Sequence, residues 1–328
     1  MAGKTMGEMG LIRTVLGDIQ PEKMGLCYSH EHIIIDESYP TIQNELLLLN
    51  DMSKIVDELK QFYKLGGRTM VDTMPADAGR NIRKLAEVSQ RTGVHIIAST
   101  GIHLEQYYLP NHWRYNYSER KLTKLFVDDI VKGIDIHDYN GPLVRRGHHK
   151  AGIIKLATGD ELVTRHQEKI FRAVVNAHRL TGAPILTHTN YGKHALVQIS
   201  LFDKLGADLS HVVLSHVDRY RDIEYNREIL QSGVFVEYDS AFRWKKGEKN
   251  WTYTLLENLL PDFPDQITMG MDAAKHNYWR SYGGEPGLDF LLTTFKKDLE
   301  KMGLIDFYDY IFYKNPSRLF SFETKILS

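Results

Sequence analysis

Short apolar runs alternate along this chain with longer stretches of helical periodicity. Eight of the runs read as strands, at 26–35, 69–73, 95–100, 152–156, 184–187, 211–215, 234–238 and 267–270. Val, Ile, Leu or Met dominates most of them without strict alternation, as parallel strands covered on both faces require. Helical segments intervene. Asp51 or Ser53 can cap the segment SKIVDELKQFYKLGG, whose Ile55, Val56, Leu59, Phe62 and Tyr63 share one face and which stops at Gly66-Gly67. A second helix is predicted from Arg80 to Thr92, ending at Gly93. A longer one is predicted to begin at Asp160 and run through Ile170, Ala173, Val174 and Ala177 to Gly182. Further helices are predicted near 192–206, 222–231, 251–260, 288–302 and 304–320. Eight strands alternating with helices and no evident linker predict an α/β fold, a (β/α)8 TIM barrel in which 1–328 form a single domain. A doubly wound open sheet would normally carry a glycine-rich phosphate loop after its first strand. His30-Glu31-His32 stands there instead.

Composition narrows the picture. The chain has 328 residues, 42% hydrophobic and 25% charged, enough for a large core. A formal net charge of -1 gives no general reason to expect nucleic acid or an anionic membrane as partner. The segment MAGKTMGEMGLIRTVLG lacks the apolar stretch of a signal peptide, and no run reaches membrane-span length, so a cytoplasmic location is expected. Cys27 is the single cysteine, and a buried small side chain in the first strand is its expected place.

Six polar side chains stand at the downstream ends of the apolar runs: His30 and His32 in SHEHIII, Lys155 in AGIIKLATG, His188 in ILTHTN, His216 in VVLSHVDR and Asp272 in ITMGMDAAKH. The spacing of His30 and His32 puts both imidazoles on one face of a strand, because strand side chains alternate with period two. Glu31 between them is expected to face the barrel wall or a helix. His188 and His216 are each either hydrogen-bonded core histidines or metal ligands. Asp272 is either a helix cap or a ligand able to accept a proton. A protonated Lys155 cannot bind a cation, but burial favours its neutral amine, which can combine with carbon dioxide. The resulting carbamate (N6-carboxylysine) has two oxygens and can bridge two ions. With four histidines around it, that reading is preferred to a lysine that reaches solvent.

Taken in that order, the motifs resemble those of the phosphotriesterase family, within the amidohydrolase superfamily. The resemblance runs from near Gly17 to about Phe320 and takes in TMVDTMPADAGRN, HIIASTGIH and NPSRLF. It implies that His30, His32 and Asp272 hold one metal, that His188 and His216 hold the other, and that carboxylated Lys155 bridges them with a hydroxide. Two divalent ions are implied, zinc by default, with manganese, cobalt or iron able to fill such a site. A homodimer is implied as well. Asp272 is the expected catalytic proton acceptor. Asp218 is either a partner that orients a ligand or relays the proton, or a surface carboxylate paired with Arg219 or Arg221.

The loops after strands seven and eight are basic, and barrels commonly hold phosphate there. Arg243, Lys245, Lys246 and Lys249 lie in the first, and Lys275, His276, Tyr278 and Arg280 in the second. From these, Arg243, Lys246, Lys275, Tyr278 and Arg280 are the expected substrate contacts. His103, Tyr107 and Tyr108 can add polar contacts after strand three, although family lactonases often place a tyrosine near His103. The expected reaction is hydrolysis of a sugar-derived lactone, with a phosphorylated one expected, such as a pentono-1,4-lactone 5-phosphate. An organophosphate triesterase or an acyl-homoserine lactonase using the same centre is the alternative. A mononuclear deaminase would lack the bridging lysine, and a non-catalytic sugar-phosphate-binding barrel would have no need of six ligands.

Overall fold

A computed structural model describes residues 10–160, 163–245 and 247–324. The first two strands, β1 (Leu11–Thr14) and β2 (Gly17–Ile19), form an antiparallel hairpin that the apolar pattern does not announce. Eight parallel strands follow: β3 (Leu26–Glu31), β4 (Gly67–Asp72), β5 (His95–Gly101), β6 (Ile153–Thr158), β7 (Ile185–Thr189), β8 (Val212–Ser215), β9 (Phe235–Tyr238) and β10 (Ile267–Met269). They lie side by side in chain order from β3 to β10, with helices between. Each matches one predicted run. The seam between β10 and β3 is drawn together by Asp272 N–H donating to His30 O at 3.0 Å. Gly270 allows this approach, since a Cβ there would stand 2.6 Å from His30 O. Glu31 stitches the same seam, accepting from Met271 N at 2.7 Å and Ala273 N at 3.3 Å. A last short strand, β11 (Ser321–Phe322), pairs with β1.

Inside the barrel, Cys27, Val71, Ile97, Ile153, Leu186, Val213 and Phe235 form one apolar layer, closed from below by Ile12, Met24, Leu319 and Phe320. Period-two alternation then places Lys155, His188, Ser215 and Glu237 in the next layer up, toward the C-terminal mouth. The first barrel strand departs from this alternation. Tyr28 packs outward on Phe62 and Phe312, yet His30, two residues on, faces the interior beside Ser215. The register with β4 shifts between Tyr28 and Glu31, and that irregularity turns the histidines inward.

The helices match their predicted positions with corrected ends. Asp51 caps Met52–Lys64 through Ser53 N and Lys54 N, but Tyr63 is partly exposed rather than buried. Asn81 caps Ile82–Thr92. The helix expected from Asp160 is Arg165–Thr181, started by a Thr164–Gln167 capping box. Asp160 instead accepts from Asn190 and Lys193. The segments 288–302 and 304–320 break into short pieces around Thr294–Lys301 and Asn315–Phe320. No described helix is long and apolar enough to cross a membrane.

Candidate active site

The strand ends bring the six sequence-selected side chains to one place. His32 Nε2 lies 3.2 Å from Asp272 Oδ1, and His30 Nε2 lies 3.7 Å from the same oxygen. The His188 and His216 rings are 4.4 Å apart, and His30 and His216 are 4.9 Å apart. Lys155 is fully buried among them, and its Nζ has no hydrogen-bond partner among the described residues. His188 Nε2 and His32 Nδ1 are likewise buried without a partner. His30, His32 and Asp272 form a set whose ligand atoms could share one cation.

Two of these residues hold strained backbone. His216 has φ +69° and Asp272 has φ +46°, each where its strand ends. Non-glycine residues in this region cost on the order of 1–3 kcal/mol and persist where surroundings enforce them. The effect is to turn each side chain across the mouth rather than along the barrel wall.

Electrostatics keep the donors in ligand-competent forms. Burial lowers the His30 and His188 pKa values well below the usual range, with Lys155 adding to the shift in both. Neutral imidazole is the form that binds a metal. Burial lowers Lys155 to about 8, against the opposing pull of Asp272, Glu237 and Asp239. Burial pushes the Asp272 carboxyl up, but His216, His32 and Arg243 outweigh it and hold it well below the carboxylate range.

Several participants were not singled out from the sequence. Asp239, just beyond β9, makes a short contact with His216 Nδ1. Arg219 Nη2 donates to Asp239 Oδ1 at 2.6 Å and to Asp272 Oδ2 at 2.8 Å. Glu237 lies 3.2 Å from His30 Nδ1. The available signal was an acid inside an apolar run, in the pattern Phe235-Val236-Glu237-Tyr238-Asp239. Asp218 is not the surface carboxylate that was one expectation for it. It is buried, accepts from Ser240 N at 2.9 Å and Thr252 Oγ1 at 2.6 Å, and so braces the loop after β9. Burial and Asp239 raise its pKa to about 6.

A cavity of about 650 Å³ opens over the cluster. Its walls include His103, Tyr107, Arg221, Arg243, Trp244, Lys245, Glu248, Lys275 and Tyr278. Among the described residues Arg221, Lys245 and Lys275 enter no ion pair. Arg243 is more committed: its Nη2 donates to Met271 O at 2.9 Å and also to Asp272 O, and its Nη1 donates to Tyr278 Oη at 3.0 Å. His103 stacks on Tyr107 with centroids 4.0 Å apart, and its Nδ1 accepts from Leu104 N at 2.7 Å. That bond leaves the ring proton on Nε2. Tyr108 is turned away, with its hydroxyl bonded to His103 N and Ala76 O.

Arg280 is a correction. It does not line this cavity but pairs with Asp289 at 3.0 Å on another face, beside Asp57 and Glu58. Trp279 causes this: it is buried and its Nε1 donates to Ala273 O at 2.8 Å, so the chain turns outward immediately after it. Lys246 lies outside the described residues.

Comparison with known proteins follows the same lines. Residues 10–320 match the model of the phosphotriesterase family. The phospho-furanose lactonase of Mycoplasmopsis synoviae is 31% identical over 327 residues, spanning 95% of this chain and 92% of that protein. The crystal structure of a lactonase from Listeria monocytogenes aligns with a TM-score of 0.87 at 30% identity, covering 95% of this chain and 99% of that one. The phosphotriesterase homology protein of Escherichia coli, crystallised with phosphate in its active site, aligns with a TM-score of 0.82 at 27% identity, over 91% of this chain and 99% of that one. Fold, strand-end cluster and sequence agree, and this chain belongs to the phosphotriesterase family.

Proposed function

We propose that this chain is a metal-dependent lactonase acting on a phosphorylated sugar lactone, such as a pentono-1,4-lactone 5-phosphate. The fit of two cations rests on the donors. Among the described residues, Lys155 Nζ, His188 Nε2 and Glu237 Oε1 are buried without partners. Such groups are costly unless something satisfies them. His30, His32 and Asp272 would hold one ion and His188 and His216 the other, with Lys155 joining them as its carbamate. Zinc suits the imidazole-rich set. When bound, the ions supply a hydroxide near neutral pH and polarise the scissile carbonyl.

The protein's own groups do the rest. Asp272 Oδ1 takes the proton released as water adds to the carbonyl, and returns it to the ring oxygen as the C–O bond breaks. His103 presents its Nε2–H from the wall of the cavity as a donor to the lactone. The cationic rim is the observation that carries the substrate reading. Lys245, Lys275 and Arg221 face one cavity with no carboxylate paired to them among the described residues, and Tyr278 adds a phenol. Those groups suit phosphate oxygens, and relatives named as phospho-furanose lactonases support the same substrate.

The test compares kcat/KM for a pentonolactone 5-phosphate and for the plain lactone. Lys275→Ala and Lys245→Ala should each lower the phosphorylated substrate's value by roughly 10–100-fold, the range of a lost charge-assisted contact. The plain lactone should change little, and Arg280→Ala should affect neither. Equal losses on both substrates would remove the phosphate reading. Greater activity on a neutral phosphotriester than on any lactone would favour the triesterase alternative.

A further inference from the structure

We propose that Glu237 is a positioning residue for the metal centre, holding His30 from beneath and placing a negative charge under the ions. The inference rests on the reading of His30 as a metal ligand and is independent of the lactone.

Glu237 lies on β9 and is fully buried. Period two sets it directly above Phe235 in the barrel layer that holds Lys155, His188 and Ser215. Its register partner across the sheet is Ser215. From there Glu237 Oε2 reaches to 3.2 Å from His30 Nδ1, while Ser215 Oγ lies 2.9 Å from the same nitrogen. Two oxygens thus face the Nδ1 edge of His30. The opposite nitrogen, Nε2, is the one turned toward Asp272. A carboxylate behind the imidazole of a metal ligand orients the ring and makes it a stronger donor.

The absence of other partners separates this role from packing. Beyond His30 and the Asp239 carboxyl beside it, neither Glu237 oxygen meets a hydrogen-bond donor among the described residues. No arginine or lysine forms an ion pair with it among the described residues. A second acid, Asp239, stands close by in the same buried set as His30 and His216. A carboxylate in such surroundings works against folding unless a positive charge compensates it. Ser215 shares the orienting of His30, so the charge is what Glu237 adds, and cations held by His30 and its neighbours would compensate it.

Glu237→Gln keeps size and shape and removes the charge. The probe is zinc alone, retained against graded concentrations of a chelator and counted by elemental analysis. Wild type should hold two zinc ions per chain. Glu237→Gln should lose zinc at roughly tenfold to hundredfold lower chelator strength, and in metal-free form it should melt above metal-free wild type. Ser215→Ala should retain zinc better than Glu237→Gln. Equal zinc retention by Glu237→Gln and wild type would overturn the inference, as would a metal-free variant that melts lower. If wild type itself retains no ions, the reading of the metal centre fails first.

Discussion

Asp272 shows how one side chain is divided between tasks. Its Oδ1 faces His30 and His32, whereas its Oδ2 accepts from Arg219 at 2.8 Å and from Arg243 at 3.3 Å. The two guanidinium groups fix the carboxylate plane and leave the other oxygen facing the two histidines. Arg219 also holds Asp239, the partner of His216, so a single guanidinium ties both sides of the site together. A lysine cannot reproduce that fork. Arg219→Lys should therefore lower kcat by roughly 10–100-fold while KM for the lactone stays within about twofold. Steady-state kinetics checks it, and a change confined to KM would place Arg219 in substrate binding instead. The six strand-end residues were legible because each interrupts an apolar run with a group that has no reason to be buried alone. Arg219 was not, since its two acid partners come from other strands and no local pattern announces them.

At the scale of elements, small departures from regularity aim the chemistry. The register shift in β3 turns His30 and His32 inward, and a one-residue change of phase would have sent them to the helix layer. Gly101 ends β5 where the chain passes closest to Lys155: its φ is +106°, and a Cβ there would stand 2.0 Å from Lys155 O. Gly101→Ala should cost at least about 3 kcal/mol, from strain and from displacing β6 together. Urea unfolding measures it, and a loss under about 1 kcal/mol would show that the two strands can separate without harm. Strand existence was readable from the sequence because buried parallel strands leave unbroken apolar runs. Helix starts were less so. Asp160 and Thr164 both suit an N-cap, and only the capping box with Gln167 decides between them. The hairpin of β1 and β2 escaped notice because its strands are short and its partner, β11, lies at the far end of the chain.

Over the whole molecule, stability should respond to pH through histidines that folding partly or wholly buries. His166 illustrates the sign. Burial, with Arg114 and Lys169 nearby, lowers its pKa to about 4 from an unfolded value near 6.5. The unfolded chain therefore binds this proton first. The contribution is fully present above about pH 6.5 and is lost as pH falls toward 4. His166→Leu should flatten the stability profile in that window by its share of the slope, leaving the rest to the other buried histidines. Thermal melting at pH 7, 5.5 and 4 tests this, and parallel profiles for variant and wild type would refute it. The charge map is also a property of the whole. A net charge of -1 conceals a cationic rim above an acid-rich floor, an arrangement suited to an anionic substrate over bound cations.

The order of apolar runs and the residues that end them determined the barrel and the strand-end cluster, because buried parallel strands leave largely unbroken apolar runs and the residues at their downstream ends are carried to the mouth. Tertiary structure alone decided which groups support those residues. Asp239, Arg219 and Glu237 act across strands, Asp218 turns to brace a loop, and Arg280 leaves the mouth because buried Trp279 redirects the chain. Distance in space between residues far apart in sequence sets these roles, and that distance exists only once the barrel has closed.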